Sequence, residues 1–220
     1  MVFIAILSII VAYLIGSVNF AVIYTSAFVS KDVRKYGSGN AGSTNALRVG
    51  GKASGILTFV CDFLKGAICS YFGIKIFEYI FDKCGASWAM PAYGAYLCGI
   101  ACLIGHVYPV FFGFKGGKGV ATGVGLFLPI CPLATLVGLV SFTGMVVLSG
   151  IVSISSILAA VLVVITALSF GKLDGELWIQ TILALIALFI VEIRHKDNIK
   201  RLIKGEEKRI LKRGKKNGKN

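Results

Sequence analysis

Residues 2–28 read VFIAILSIIVAYLIGSVNFAVIYTSAF and contain no charged side chain. A helix of about 20 apolar residues is long enough to cross the hydrocarbon core of a bilayer, which is about 30 Å thick. The stretch is too long for the core of a signal peptide, and no positively charged segment precedes it. We therefore predict that the chain begins with a membrane-spanning segment that is retained.

The composition of the whole chain also excludes a soluble domain. Of its 220 residues, 56% are hydrophobic and the mean hydropathy is +0.84, whereas about 45–50% apolar residues are usual in soluble proteins. The six cysteines lie mostly within apolar runs, form no C-x-x-C pair and are accompanied by only two histidines. We expect them to be small buried hydrophobic side chains, and we predict neither a metal site nor a disulfide framework.

Apolar segments separated by charged or Gly/Pro-rich breaks predict seven crossings within one membrane domain, residues 1–220. The segments are 2–28, 53–73, 92–112, 117–130, 132–149, 152–170 and 176–193, and a basic tail follows at 194–220. The segment 117–130 is short, since 14 residues with a rise of about 1.5 Å each reach only about 21 Å. A re-entrant piece is the alternative for that segment.

The distribution of positive charge favours seven crossings with the N-terminus outside. The net charge is +13, and this topology places nineteen of the 23 Lys and Arg residues on the cytoplasmic side, twelve of them in the tail. A fourth segment that did not cross would place the tail outside, against the positive-inside rule. The predicted fold class is an all-α integral membrane protein with seven transmembrane helices, its N-terminus outside and its C-terminus cytoplasmic. Because the charge follows the membrane, nucleic acid is not a predicted partner.

Three polar stretches fall on the predicted cytoplasmic face, and the first, RKYGSGNAGSTNALR, spans residues 34–48. It contains the pattern G-x-G-x-x-G, with Asp62 twenty residues later. A dinucleotide site needs these glycines between a strand and a helix, and the apolar spans on either side exclude that arrangement. The glycines, Ser38 and Asn45 favour a nest of backbone N–H groups for an anion, to which Arg48 adds a guanidinium. A flexible loop that touches anionic lipid is the alternative.

The second polar stretch, residues 105–123, reads GHVYPVFFGFKGGKGVATG. Its centre predicts a phosphate cradle that opens a helix, because backbone donors and an ammonium group would point the same way. The cradle consists of Gly116, Gly117, Lys118 and Gly119. It is not a Walker A loop, because glycine rather than Ser or Thr follows the lysine, so nucleotide binding is not predicted. His106 is either a site residue or an interfacial histidine.

The third polar stretch, residues 191–210, reads VEIRHKDNIKRLIKGEEKRI. His195 and Asn198 are three residues apart and would share one face of a helix that leaves the last span. That face is predicted to point back toward the other two stretches. The alternative is a basic amphipathic helix that anchors on acidic lipid, and both roles are compatible.

Some polar groups lie inside the predicted spans. Asp62 and Lys65 form an i, i+3 pair of opposite charge in the second span, where charged groups are costly and often mark function. We interpret them as a self-neutralising structural pair, with a proton relay as the alternative. Ser153, Ser155 and Ser156 begin the sixth span, and Ser155 is predicted to add a contact to the site. Serines in membrane helices also bond their own backbone or a neighbouring helix.

The placement of polar residues favours an enzyme over a transporter. A transporter would be expected to carry polar groups along a path through the membrane, often in repeated halves. Here the polar residues gather on one face, and the sequence shows no internal repeat. A membrane enzyme that acts on a phosphorylated, water-soluble substrate and on a lipidic second substrate is therefore predicted. A membrane transporter or channel for a small phosphorylated anion is the alternative.

Three motifs, taken together, resemble those of a known family. GSGNAGSTNALR, GHVYPVFFGFKGGKGVAT and RHKDNIKRLIKGEE, in this order among the spans, are similar to the bacterial acyl-phosphate:glycerol-3-phosphate acyltransferases, the PlsY family. The resemblance covers nearly the whole chain, to about Ile210, and includes the intramembrane D-x-x-K-G. The chain departs from the family where Gly205, Glu206 and Glu207 replace the usual Gly-Thr-Glu, which bears on the role of Glu207.

The resemblance implies transfer of a fatty acyl group from acyl phosphate to the 1-hydroxyl of sn-glycerol 3-phosphate. The products would be lysophosphatidic acid and phosphate, in the first acylation step of phospholipid synthesis. The resemblance implies no CoA, nucleotide, metal or other cofactor. It also implies a multi-pass protein of the bacterial cytoplasmic (inner) membrane, surrounded by membrane lipids, with its active site facing the cytoplasm and a soluble acyl-phosphate-forming enzyme as a candidate partner.

The motifs and the resemblance together predict the residues of the site. The catalytic group comprises Ser38, Arg48, His195 and Asn198. The substrate-binding group comprises Asn45, His106, Gly116, Gly117, Lys118, Gly119 and Ser155. Structural roles are expected for Asp62, Lys65 and Glu207. The proton of the attacked hydroxyl goes either to His195, whose ordinary pKa suits a base, or to a substrate phosphate.

Overall fold

The computed structural model describes residues 1–171 and 174–210, and this part of the chain contains helices and turns but no strand. The helices are α1 (Val2–Gly16), α2 (Phe20–Val29), α3 (Ser43–Cys84), α4 (Pro91–Val107), α5 (Val120–Leu126), α6 (Pro132–Ser149), α7 (Val152–Phe170), α8 (Leu177–Ile193) and α9 (Lys196–Ile203). The all-α prediction is confirmed for the described residues. The last part of the predicted basic tail, from residue 211 onward, lies outside them.

Most of the predicted spans correspond to long apolar helices. Five segments are long and apolar enough to cross a membrane: Val2–Val29, Ser43–Cys84, Pro91–Phe112, Pro132–Ser149 and Val152–Phe170. A sixth candidate combines α8 and α9, which meet at a bend of 58°. Each of these segments overlaps one predicted span, whereas the predicted span 117–130 contains only α5.

The first predicted span is broken into two helices. α1 ends at Gly16, and α2 begins after Asn19, whose side-chain oxygen accepts a hydrogen bond from the Val22 N–H at 3.2 Å. A break inside an apolar span leaves backbone carbonyls without helical partners, which is costly away from water. Here the Lys65 ammonium donates to the carbonyls of Gly16 and Val18 at 3.0 and 2.9 Å. The buried lysine of the second span therefore stabilises the break in the first.

The second span is longer than the sequence predicts. α3 runs over 42 residues to Cys84, beyond the predicted end at residue 73, and Gly51 interrupts it with a φ of 80°. The extension is polar enough to escape a search for apolar runs, yet it stays helical, with an ion pair of 2.7 Å between Lys75 and Glu78. In the middle of α3, Asp62 and Lys65 form the predicted ion pair at 2.8 Å, with 3% of each side chain exposed.

α5 is a seven-residue helix about 10 Å long, less than half the thickness of the hydrocarbon core. It packs on α3 at van der Waals contact between backbones. A Cβ atom on Gly66 would lie 2.2 Å from the Thr122 carbonyl oxygen, and one on Gly125 would lie 2.0 Å from the Phe63 carbonyl oxygen. Small residues permit such close approach of membrane helices. α3 therefore holds α5, and with it the glycine-rich loop that precedes α5.

Candidate active site

All three polar stretches contribute to the wall of one cavity of about 790 Å³. It lies among the beginning of α3, the end of α4, the loop before α5, the beginning of α7 and the bend between α8 and α9. The predicted site residues on its wall are Ser38, Asn45, Arg48, Asp62, His106, Gly116, Lys118, Gly119, His195, Asn198 and Glu207. Residues that are far apart in the sequence, between positions 37 and 208, therefore line the same cavity.

The first loop is folded around Asn45. The amide nitrogen of Asn45 donates to the carbonyls of Val33 and Tyr36, each at 3.0 Å, and its oxygen accepts from the Ser38 N–H at 2.9 Å. Asn45 is buried, and Gly37, with a φ of 66°, lies close against its oxygen. The amide is thus committed to the loop, and its role is to present Ser38 rather than to bind a ligand with its own donors.

The second loop folds back along the end of α4. The Gly116 N–H donates to the Val107 carbonyl and the Gly117 N–H donates to the His106 carbonyl, both at 3.2 Å. This corrects the expectation of a cradle made of all four backbone donors, because two of them hold the loop in place. Gly116, Lys118 and Gly119 line the cavity, whereas Gly117 lies behind them against His106.

His106 is packed between α3 and the second loop. Its Nδ1 atom lies 3.3 Å from Asp62 Oδ1, the same oxygen that pairs with Lys65. On the other edge of the ring, a Cβ atom on Gly117 would lie only 2.2 Å from Nε2. The histidine is therefore more than an interfacial residue, because it joins the buried ion pair to the glycine-rich loop.

Lys118 connects the second loop to α9. Its ammonium donates to the Asn198 side-chain oxygen, and the Asn198 amide nitrogen donates to Glu207 Oε1 at 2.6 Å. Glu207 also accepts from Ser153 Oγ at 2.9 Å and from Arg201 Nε at 2.7 Å. Glu207 thereby fixes which way the Asn198 amide points and ties the chain after α9 to α7.

The cavity changes the proton affinities of Lys118 and Glu207. Burial lowers the pKa of Lys118 to about 8, and Arg48, Arg194 and Arg201 add to this shift while Glu207 opposes it. Burial alone would raise the pKa of Glu207, but its hydrogen bonds from Asn198, Arg201 and Ser153 outweigh burial and keep the pKa below its ordinary value. At neutral pH the cavity therefore contains a charged ammonium, and the asparagine that accepts from it is oriented by an ionised carboxylate.

His195 lies at the bend between α8 and α9 and has 1% of its surface exposed. Its Nδ1 atom lies 2.8 Å from the Val191 carbonyl. A carbonyl can only accept, so Nδ1 carries the hydrogen and Nε2 of the neutral ring is an acceptor. Burial, together with the positive charge of Lys118, lowers the pKa of His195 to about 4, so the ring is neutral at neutral pH.

The serines at the start of α7 require a correction. Ser155, predicted to contact the substrate, is buried away from the cavity wall, and its hydroxyl donates to the Ile151 carbonyl of its own helix at 2.8 Å. Ser153 and Ser156 line the cavity instead. Arg201 also lines it and was not predicted, because its place depends on the Glu207 contact across a turn of the chain.

Part of the helical wall of the same cavity is apolar. Phe59 of α3, Val124 of α5, Leu139 and Phe142 of α6 and Ala159 of α7 line it. A ligand that fits such a cavity would combine an anionic part, placed near Arg48 and Lys118, with a hydrocarbon part between the helices. The fold and the cavity define a helical multi-pass membrane protein with a cavity that has both a cationic and an apolar part.

Comparison with known proteins identifies the family. The sequence profile of the glycerol-3-phosphate acyltransferases matches residues 6–205. The chain is 38% identical over 202 residues to the glycerol-3-phosphate acyltransferase of Finegoldia magna, covering 91% of this chain and 93% of that one. It is 39% identical over 208 residues to glycerol-3-phosphate acyltransferase 2 of Bacillus anthracis, covering 94% and 99%. The chain belongs to the glycerol-3-phosphate acyltransferase family.

Solved structures of a protein of this type have the same fold. The crystal structure of PlsY, an integral membrane glycerol 3-phosphate acyltransferase, in its glycerol 3-phosphate form is 34% identical with a TM-score of 0.79. The match covers 94% of this chain and 96% of that one. The lysophosphatidic acid form matches with a TM-score of 0.77 and 33% identity, over 94% and 95% of the two chains. The predicted resemblance and the acyltransferase class are thus confirmed.

Proposed function

We propose that this protein transfers a fatty acyl group from acyl phosphate to the 1-hydroxyl of sn-glycerol 3-phosphate, giving lysophosphatidic acid and phosphate. The observation that carries the proposal is the single cavity in which the cations Arg48 and Lys118 meet apolar helical walls. Such a cavity accommodates a small phosphorylated acceptor and an acyl donor at the same time. The forms in which PlsY was solved, with glycerol 3-phosphate and with lysophosphatidic acid, support this substrate and this product.

The reaction mainly requires that the two substrates be held in the right orientation, because acyl phosphate is a mixed anhydride and is already activated. The acceptor hydroxyl oxygen forms a bond to the acyl carbon, the bond from that carbon to the phosphate oxygen breaks, and phosphate leaves. Arg48, Lys118 and the hydroxyl of Ser38 would orient the two phosphate groups and stabilise the negative charge that develops. Leu139 and Phe142 are placed to contact the acyl chain.

The hydroxyl proton has two candidate acceptors. Nε2 of the neutral His195 ring is free of the backbone bond that occupies Nδ1. A ring with a pKa of about 4 is a weak base, and the leaving phosphate or the substrate's own phosphate is the alternative. If His195 takes the proton, it passes it on to the leaving phosphate, so by both routes the proton departs with phosphate and the protein returns to its starting charge.

We further propose seven crossings of a bacterial cytoplasmic membrane as one domain, with the N-terminus outside and the cavity facing the cytoplasm. In this topology α5 and the turn that follows it, as far as residue 131, form the fourth crossing together. Their shortness is compatible with a crossing because α5 packs mainly on α3 and α4, with α6, α7 and α8 also in contact, and irregular backbone is tolerated inside the protein. With the cavity facing the cytoplasm, a soluble enzyme that makes acyl phosphate could deliver the donor to it and is the proposed partner.

A test of donor choice addresses the proposal directly. The purified protein in lipid nanodiscs is given labelled glycerol 3-phosphate with either acyl phosphate or acyl-CoA, and labelled lysophosphatidic acid is counted. We expect product with acyl phosphate and little with acyl-CoA. Product from acyl-CoA alone would contradict the proposed donor. Turnover with neither, combined with uptake of labelled glycerol 3-phosphate into sealed vesicles, would instead favour the transporter.

The rate should depend on pH through Lys118. With a pKa of about 8, the ammonium loses its charge as the pH rises through that value, so kcat/KM for glycerol 3-phosphate should fall above about pH 8. The profile is measured from about pH 6.5 to about pH 9.5, a range that brackets that pKa, with rates normalised to intact donor. Lys118→Arg is the matched control, because a guanidinium keeps its charge throughout this range. A fall of equal size in Lys118→Arg would assign the effect to another group.

A further inference from the structure

Asp62 and His106 form a buried pair that the acyl transfer chemistry does not use directly. Asp62 lies in the middle of α3, and His106 lies in the last turn of α4. Neither side chain is more than 6% exposed. An ion pair between Asp62 and Lys65 alone would explain a self-neutralising couple, but it would not explain why the same carboxylate oxygen also faces His106 Nδ1 at 3.3 Å.

Two contacts link His106 to the loop that carries Lys118. The His106 carbonyl accepts from the Gly117 N–H at 3.2 Å, and the Nε2 edge of the ring lies against the Cα of Gly117. The backbone of His106 thus fixes where the loop lies along α4, and the ring fixes how closely the loop approaches that helix. A rotation of the ring would move Gly117 and, one residue further, Lys118.

The other end of this series of contacts is rigid. Lys65 is anchored by the carbonyls of Gly16 and Val18 at the break between α1 and α2, and its ammonium holds Asp62 at 2.8 Å. Asp62 therefore has a fixed position from which to orient the imidazole. Groups held by several buried hydrogen bonds and ion pairs transmit position better than flexible side chains do.

We propose that Asp62 is a positioning residue that acts through the imidazole of His106 to place the Gly116–Gly119 loop and the Lys118 ammonium for glycerol 3-phosphate. The inference rests on the proposed function, because it assigns the loop to the acceptor substrate. Asp62 would thus do more than neutralise Lys65. The break between α1 and α2 would also help to position the site, because its carbonyls anchor Lys65, which holds Asp62.

The test compares Asp62→Asn, Asp62→Glu, His106→Gln and the double variant Asp62→Asn/His106→Gln in nanodiscs. We expect KM for glycerol 3-phosphate to rise about tenfold in each, because a displacement of the loop by a fraction of an ångström misplaces the ammonium. KM for acyl phosphate and kcat should change by less than about threefold. The double variant should be no worse than His106→Gln, because both changes break the same connection.

Ser70→Ala is the control, since Ser70 is buried in the same helix and does not line the cavity.

Several results would overturn the proposal. They are a normal KM for glycerol 3-phosphate in Asp62→Asn and Asp62→Glu, a loss in kcat alone, and additive effects in the double variant. If Asp62→Asn fails to accumulate in the membrane, Asp62→Glu decides, since it keeps the charge and displaces the carboxylate. If the wild-type protein shows no turnover, the proposed function fails. The binding of inorganic phosphate to the same proteins, measured by calorimetry, then decides whether Asp62 positions the loop.

Discussion

Replacing Lys118 with methionine is expected to lower kcat/KM for acyl transfer by about a hundredfold or more, because the change removes a partly buried charged donor that the proposed function assigns to a phosphate group. Methionine is similar to lysine in length and shape, so it fills the same space without the charge. The ammonium lies partly buried at the cavity wall and donates to Asn198, which Glu207 in turn fixes. Initial rates with acyl phosphate at several concentrations of glycerol 3-phosphate measure the effect.

The control for Lys118→Met is Lys35→Met. Lys35 lies in the first loop, is exposed and does not line the cavity, so its loss removes a positive charge from the same face without removing a contact. Its kcat/KM should stay within about twofold of the wild type, because solvent screens exposed charges. Equal losses in the two variants would mean that general electrostatic attraction of substrate, rather than the placed ammonium, accounts for the role of Lys118.

The long helices can be predicted from the sequence, because the length of an uncharged apolar stretch can be read from neighbouring residues alone. Uncharged stretches of sufficient length, such as residues 132–149, had their bounds predicted to within a residue. The break between α1 and α2 was missed, because what stabilises it is Lys65, a residue 47 positions beyond Val18. The true length of α3 was missed for another reason. Its last turns carry four charged side chains, which end an uncharged run, but they also bury Phe77 and Ile80 in the core.

The sequence indicates many of the residues that line the candidate site, but it does not indicate what each of them contacts. Glycine-rich and basic stretches indicate an anion site in any fold, so Arg48, Lys118 and His195 could be singled out. Whether a donor such as the Gly117 N–H faces a ligand or a neighbouring carbonyl depends on tertiary packing. One error was avoidable. Ser153 and Ser156 are three residues apart and share a helix face, whereas Ser155 points elsewhere, so helical spacing already favoured the first two.

Replacing His195 with alanine is expected to lower kcat by about a hundredfold, with KM values changed much less, because a base or acceptor at the reacting hydroxyl acts mainly in the transition state. His195 is buried at the bend of α8 and α9, and its Nδ1–H is bound to the Val191 carbonyl, which leaves Nε2 toward the cavity as the acceptor. Single-turnover and steady-state rates with saturating acyl phosphate measure the loss. A kcat within about threefold of the wild type would remove His195 from the reaction.

The pH profile of His195→Gln then separates the two candidate proton acceptors. The pKa of about 4 belongs to the empty cavity, where burial and Lys118 disfavour the imidazolium. A bound phosphate dianion beside the ring favours the imidazolium, so the pKa of His195 should be higher in the substrate complex. If His195 takes the proton, the acidic limb of kcat should lie at higher pH than that of kcat/KM, since kcat reports the complex, and glutamine should abolish it. If the limb persists in His195→Gln, it belongs to a substrate phosphate, and the role of His195 is to orient the hydroxyl through Nε2.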